Sequence, residues 1–403
     1  MSNTLIISLS GYLFFLVFAA YLVSAFLYIG RITLRRRDAK HFALADNLGA
    51  WGFRLAIAGV VFHLLAMCVR WWGSGHAPMS NMFEYMSFLG WSIMLFFVIL
   101  SYWYKLPALG AFVAPVGVIV VAYASVFPTE VSPLVPALQS YWLVLHVTTA
   151  ALGEGAFAVS FGAALMYLLR VRKDSADRWE ESILEFVFYC FSLLIGFLIT
   201  GLGFKLAGMT WDISLPNRIM HYGFPPVIGP KGAVSGMAKF AGVDLPIFLA
   251  PAWMQGANSG KNLNTILFTL VAGTVVYLLL RLIARNPLRE MGSRAVAGMN
   301  INLLDEVSYR GVAVGFPLFT LGAIVFAMIW AQKAWGSYWS WDPKETWSLI
   351  SWLFYSAYLH MRIVRGWEGK LAAWVAVIGF PLIIFTLLGV NLLISGLHSY
   401  AAG

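Results

Sequence analysis

Thirteen residues, Trp335 to Trp347, read W-G-S-Y-W-S-W-D-P-K-E-T-W. Trp335, Tyr338, Trp339, Trp341 and Trp347 crowd one loop that Gly336 and Pro343 would shape. Such a cluster can form a flat apolar platform against which a large planar ligand stacks. The same residue types also make an aromatic belt, because Trp and Tyr collect at membrane–water boundaries. A belt spreads over many helices and this cluster occupies one segment, yet residue chemistry alone leaves both readings open. His146 ends S-Y-W-L-V-L-H and His398 stands in G-L-H-S-Y, each at one end of an apolar run. Both belong at the depth of the tryptophan loop. Neutral imidazole nitrogen is an axial ligand for haem iron, and two from opposite faces complete its coordination. Each histidine taken singly reads equally as an interface anchor or a hydrogen-bonded core residue. His360, in Y-L-H-M-R, lies 18 residues beyond Asp342, about 27 Å along a helix. That is close to a full hydrocarbon thickness, so His360 needs a site of its own. Two sites at different depths suit a ligand passed across.

The elements that must position these residues lie in a membrane. Of 403 residues, 60% are hydrophobic and 11% charged, where a soluble domain carries about 25% charged. Mean hydropathy is +0.78, which excludes an ordinary soluble domain. Runs of about 20 apolar residues fall at 4–28, 50–70, 82–104, 107–127, 141–169, 183–206, 263–283, 311–331, 345–364 and 371–394. The expected fold is therefore an all-α polytopic transmembrane helical bundle of about ten spans. On this map 19 of the 27 Lys and Arg residues fall on one side, which the positive-inside rule makes cytoplasmic. Both termini are then extracytoplasmic. The net charge of +9 is topological, and no nucleic-acid footprint is expected. The first run lacks a basic n-region and a small-residue cleavage site, so it reads as a retained helix. Cys68 and Cys190 lie in apolar runs and form no C-x-x-C, which gives no dithiol or cysteine zinc site.

The chain divides into helices 1–4 over 1–140, a fifth helix with His146 over 141–182, a helix pair with a long outer loop over 183–300, and a tryptophan-signature core over 301–403. The outer segment 207–262 is rich in Pro and Gly and is expected to lie along the interface as one or two short amphipathic pieces. Asp342 reads as an orienting group or as the cap of the ninth helix, with Pro343 at its first position. Lys344 and Glu345 are expected to face headgroups. His63 reads as a structural histidine or an inner ligand, and His76 as solvated or structural. Glu154 is costly inside the fifth span and calls for a buried hydroxyl or a proton path. Asn391, seven residues before His398, shares its helical face and reads as a pocket residue or a bridge between helices. Asp305, Glu306, Tyr309 and Arg310 mark the cytoplasmic mouth, as a guide for carboxylates or a plain ion pair.

The tryptophan-rich segment resembles the WWD signature of haem-handling membrane proteins, and its detailed form resembles the CcsA/ResC family of system II cytochrome c biogenesis. The resemblance extends to G-H-A-P-M-S-N-M-F-E-Y at 75–85, L-L-D-E-V-S-Y-R at 303–310, S-W-L-F-Y-S-A-Y-L-H-M-R at 351–362 and G-V-N-L-L-I-S-G-L-H-S-Y at 389–400. It covers most of the chain outside about 183–300, a region that shorter family members lack. It implies a haem lyase subunit in the bacterial cytoplasmic membrane that delivers haem b to the C-x-x-C-H thiols of exported apocytochrome c. His146 and His398 would be the outer iron ligands and catalytic residues, with the loop Trp335, Gly336, Tyr338, Trp339, Trp341, Asp342 and Trp347, and Asn391, around the ring. His360 would be one inner ligand, the other coming from a ResB-type partner, which makes an obligate complex. Thiol-reducing proteins would keep the cysteines reduced. A system I-type haem exporter and a non-haem membrane assembly factor are the competing readings.

Overall fold

A computed structural model describes residues 3–35, 41–125, 127, 129–131, 139–175, 177–215, 218–251 and 259–390. His398 and Asn391 lie outside these residues. Twelve α-helices follow one another in the described chain. In order they are α1 (Asn3–Arg35), α2 (Phe42–Ser74), α3 (Met82–Tyr104), α4 (Gly110–Ala124), α5 (Tyr141–Ser175) and α6 (Arg178–Leu206). Then come α7 (Ser259–Ala284), α8 (Leu288–Ala295), α9 (Ile301–Phe319), α10 (Ala327–Trp335), α11 (Pro343–Val364) and α12 (Lys370–Ile384). Among the described residues nine helical segments are long and apolar enough to cross a membrane, with α9 and α10 forming one continuous segment of 35 residues. The chain is thus an all-α polytopic bundle. The tenth expected span, α11, is a helix of 22 residues, about 33 Å long. It is absent from the nine because Trp, Tyr and Ser, with Glu345, His360 and Arg362, dilute its apolar character.

The described residues form two compact units, one up to 175 and from 292 to 390, the other from 177 to 291. In the first, α5 is the axis. Its most apolar window is 94% buried, and it packs on α3, α9 and α12. The crossing with α9 is backbone to backbone, made possible by glycine in the way membrane helices commonly associate. A Cβ on Gly153 would stand 2.7 Å from the Phe319 nitrogen, and one on Gly315 2.8 Å from the Gly153 oxygen.

Two prolines change the helices that follow them. Pro317 in α9 precedes a π-helical segment, Thr320–Phe326, and Pro381 in α12 precedes another, Phe385–Gly389. Proline removes a backbone donor and crowds the preceding turn. The ladder widens just beyond, and π-bulges of this kind concentrate at functional sites.

The second unit pairs α6 with α7 through Gly196 and Gly273, whose Cβ positions lie 2.3 to 2.6 Å from the opposite backbone. Its outer loop differs from the short amphipathic pieces expected. The loop contains six strands: β1 (Trp211–Leu215), β2 (Arg218–Tyr222), β3 (Ile228–Gly229), β4 (Ala238–Phe240), β5 (Val243–Leu245) and β6 (Phe248–Leu249). β1–β2 and β4–β5 pair antiparallel, and β3–β6 pair parallel. Trp211, Ile213, Met220, Tyr222 and Ala233 form a small core beneath. Alternation of buried and exposed residues along β1 is a strand period, which Pro and Gly obscured in the sequence.

Candidate functional site

His146, one turn into α5, is held from the side. Its Nδ1 lies 2.9 Å from the Gly322 carbonyl oxygen in the first π segment. A carbonyl only accepts, so Nδ1 carries the proton and Nε2 carries the lone pair, the tautomer a metal-ligating imidazole needs. The buried Trp330 of α10 lies nearly parallel to the imidazole, 11° between planes and 5.8 Å between centroids. Gly322 is required at this point. Its Cβ would stand 2.2 Å from the Ala150 nitrogen, so only glycine brings its carbonyl this close to α5.

A slot opens beside His146. One wall is α5, with Leu143, Val147 and Ala150; the facing wall is Ala323, Ala327 and Ala331. That four-residue spacing places three small side chains on one stripe and leaves room for a flat body. Met79, Met82 and Met328 line the edges, and Tyr338 and Trp339 stand at the loop end. Both π segments contribute, the first through Ala323 and the second through Thr386 and Leu387. Polar residues line it as well: Ser80, Asn81, Tyr85, Glu154, Lys344 and Ser348. The hydroxyl foreseen for Glu154 is that of Tyr85, which donates to its carboxylate at 2.5 Å.

The tryptophan loop is shaped by caps. Gly336 ends α10 with φ 76° and donates its N–H to the Gln332 oxygen. Asp342 is buried and caps α11, accepting from the Lys344 N–H at 3.0 Å, with Pro343 behind it. Glu345 does not face headgroups: its Oε2 accepts from the Ser340 N–H (2.8 Å), the Ser340 hydroxyl (3.1 Å) and the Asp342 N–H (3.3 Å). It thus grips the backbone on both sides of Trp341, the one non-glycine residue of this loop with positive φ, at 58°. Lys344 does not face headgroups either. It lines the slot, with Glu154 and Ser348.

Of the sequence-predicted residues, the structure brings His146, Tyr338 and Trp339 to the slot. Trp335 stands edge-on to Trp330 at 6.0 Å. Trp341 is 69% exposed and meets Trp339 edge-on. Trp347 packs on Phe385 at 4.3 Å. His360 is exposed at the opposite end of the unbroken α11. Near it Asp305 pairs with Arg362 at 2.5 Å and accepts the Gly369 N–H at 3.0 Å, and Glu306 pairs with Arg310 at 2.6 Å within α9. His63 is fully buried beside Phe14, with Nδ1 3.4 Å from the Tyr21 hydroxyl and Nε2 without a hydrogen-bond partner among the described residues. Cys68 and Cys190 are free thiols. Trp330, Gly322 and the alanine stripe went unnoticed in the sequence because a π-bulge and a contact 176 positions apart leave no local signature. The spacing of Ala323, Ala327 and Ala331 was the one available hint.

Among the described residues no three His, Cys, Asp or Glu side chains converge on a bare metal ion. The donor set instead suits a metal that brings its own equatorial ligands, as in a porphyrin, with imidazole at an axial position. An imidazole of fixed tautomer, a slot of small side chains and flanking indoles all fit such a group.

The fold and the slot define a class: a polytopic helical membrane protein with a histidine-bearing cleft for a planar ligand at one end of the bundle. The chain belongs to the cytochrome c assembly protein family, which it matches over residues 79–212 and 265–398. The matched stretches contain His146, His360 and His398, and they pass over 213–264, most of the β-containing loop. It is similar to the cytochrome c biogenesis proteins CcsA of Nostoc punctiforme, 33% identical over 86% of this chain and 88% of that one, and of Gloeobacter violaceus, 33% identical over 95% and 93%. That of Trichormus variabilis is 34% identical over 88% of each. This is a multi-pass membrane protein of cytochrome c biogenesis.

Proposed function

We propose that the chain is the haem-handling subunit of a system II cytochrome c synthase in the bacterial cytoplasmic membrane. It takes haem b as substrate, relays it from the cytoplasmic to the outer side and presents it to the C-x-x-C-H thiols of apocytochrome c. The observation that carries this reading is His146 itself: Nδ1 committed to the Gly322 carbonyl, the ring against Trp330, and a slot alongside. Haem supplies vinyl groups across which the thiol S–H adds, so a C–S bond forms, the proton ends on the second vinyl carbon, and nothing is oxidised.

The chain's own contribution is positioning, a proximity effect. His146 Nε2 takes one face of the iron, and the Gly322 contact keeps the imidazole from rotating. Trp339 and Tyr338 cover the loop end and exclude water. His398 is assigned the opposite face, with Asn391 beside it; both assignments rest on the family resemblance. His360 is assigned to a second, inner haem with a ResB-type partner. It stands exposed on α11 in a stripe with Ile350, Leu353, Ala357 and Val364, and alternating steps of three and four residues suit a second helix alongside. Thiol-reducing proteins keep the acceptor cysteines reduced.

The test is the full chain purified with its partner in detergent, with an absorption spectrum and a haem count. His146→Ala should abolish c-type cytochromes and shift the haem spectrum, and added imidazole should partly restore both. Unchanged cytochrome c levels in that variant would overturn the ligand assignment, and haem-free complex from haem-replete cells would favour a non-haem assembly factor.

A further inference from the structure

The slot is lined in part by polar side chains that ring stacking and iron ligation do not use, Lys344 among them. Among the described residues Lys344 is the one lysine or arginine lining the slot. Among the described residues its ammonium makes no hydrogen bond or ion pair, and only its backbone N–H is engaged, by Asp342. The nearby carboxylates are committed elsewhere. Asp342 caps α11, Glu345 holds the Ser340 and Asp342 N–H groups, and Glu154 receives the Tyr85 hydroxyl. Ser348, one turn on from Lys344 along α11, lines the same wall with a hydroxyl, and both stand near the helix N-terminus, where partial positive charge favours anions.

We propose that Lys344, assisted by Ser348, binds a carboxylate side chain of the planar ligand and so selects macrocycles bearing free carboxylates. This rests on the haem reading, since a haem b ring carries two propionates on one edge. Lys344 therefore fixes which edge enters at α11 and, with the iron on His146, leaves the opposite edge with the vinyl groups turned away from it. A desolvated ammonium with no direct ion-pair partner gains more from a carboxylate than an exposed lysine would. Lys344 is a specificity determinant. It performs no chemistry on the vinyl group.

The experiment titrates haem-stripped full chain, with its partner, in detergent with haem b and with its dimethyl ester, following the Soret band. Wild type should bind the free acid about tenfold or more tightly, the scale of one charge-assisted hydrogen bond. Lys344→Met should bring the two affinities together at an unchanged Soret position, which shows that iron ligation survives, and Lys344→Arg should keep most of the preference. Equal affinities in wild type, or an undiminished preference in Lys344→Met, would overturn the assignment. If wild type binds neither form, the haem reading itself falls, a distinct outcome from loss of selectivity alone.

Discussion

Gly322 does two things at once: its carbonyl sets the His146 tautomer, and its missing side chain lets the π segment touch α5. In Gly322→Ala the added methyl meets a backbone nitrogen at 2.2 Å. No rotamer change relieves that contact, so α5 and the π segment must separate, at a cost of about 1–3 kcal/mol. The expected outcome is a lower thermal midpoint together with weaker haem retention and a Soret band changed towards loss of an axial imidazole. Full retention of haem with a normal spectrum would show that His146 does not depend on this carbonyl. Sequence reading reached His146 because a histidine at the end of an apolar run is conspicuous in itself. It passed over Gly322 and Trp330 because their meaning arises only when positions far apart in the chain meet.

At the scale of elements, the start of α11 was legible and its consequences were not. Asp342, Pro343 and Glu345 spell a capping box within four residues, and the box is present. The local pattern does not say that Lys344 lines the slot or that Glu345 also holds the Ser340 and Asp342 N–H groups, on the residues either side of Trp341. A non-glycine residue at φ 58° costs about 1–3 kcal/mol, which the Glu345 contacts must offset. Glu345→Ala should therefore release Trp341 towards extended geometry and lower stability by about 1–2 kcal/mol. Adding Trp341→Gly, which relieves the backbone, should recover part of that loss. Thermal unfolding of the single and double variants decides it; additive effects would mean that Glu345 and Trp341 are not coupled. The π segments were beyond sequence reading for a related reason: Pro317 and Pro381 announce a disturbance, but which carbonyls it releases depends on the neighbouring helix.

Across the whole molecule, span positions follow from hydropathy and therefore survive in the structure, α11 included, while sidedness follows only from where cations fall. The 19 Lys and Arg residues gathered on one side of the ten-span map predict a cytoplasmic loop between α11 and α12 and an external tryptophan loop. The slot, at the tryptophan-loop end of the bundle, would then open outward, towards an exported acceptor. Two single-cysteine variants in a Cys68→Ala, Cys190→Ala background test this. Ser337→Cys and Glu368→Cys both alter exposed residues, one in each loop. A membrane-impermeant maleimide added to spheroplasts should label Ser337→Cys at once and Glu368→Cys only after permeabilisation. The reverse pattern would turn the molecule over, place the His146 slot against the cytoplasm and remove outward delivery from its function, whatever ligand the slot holds.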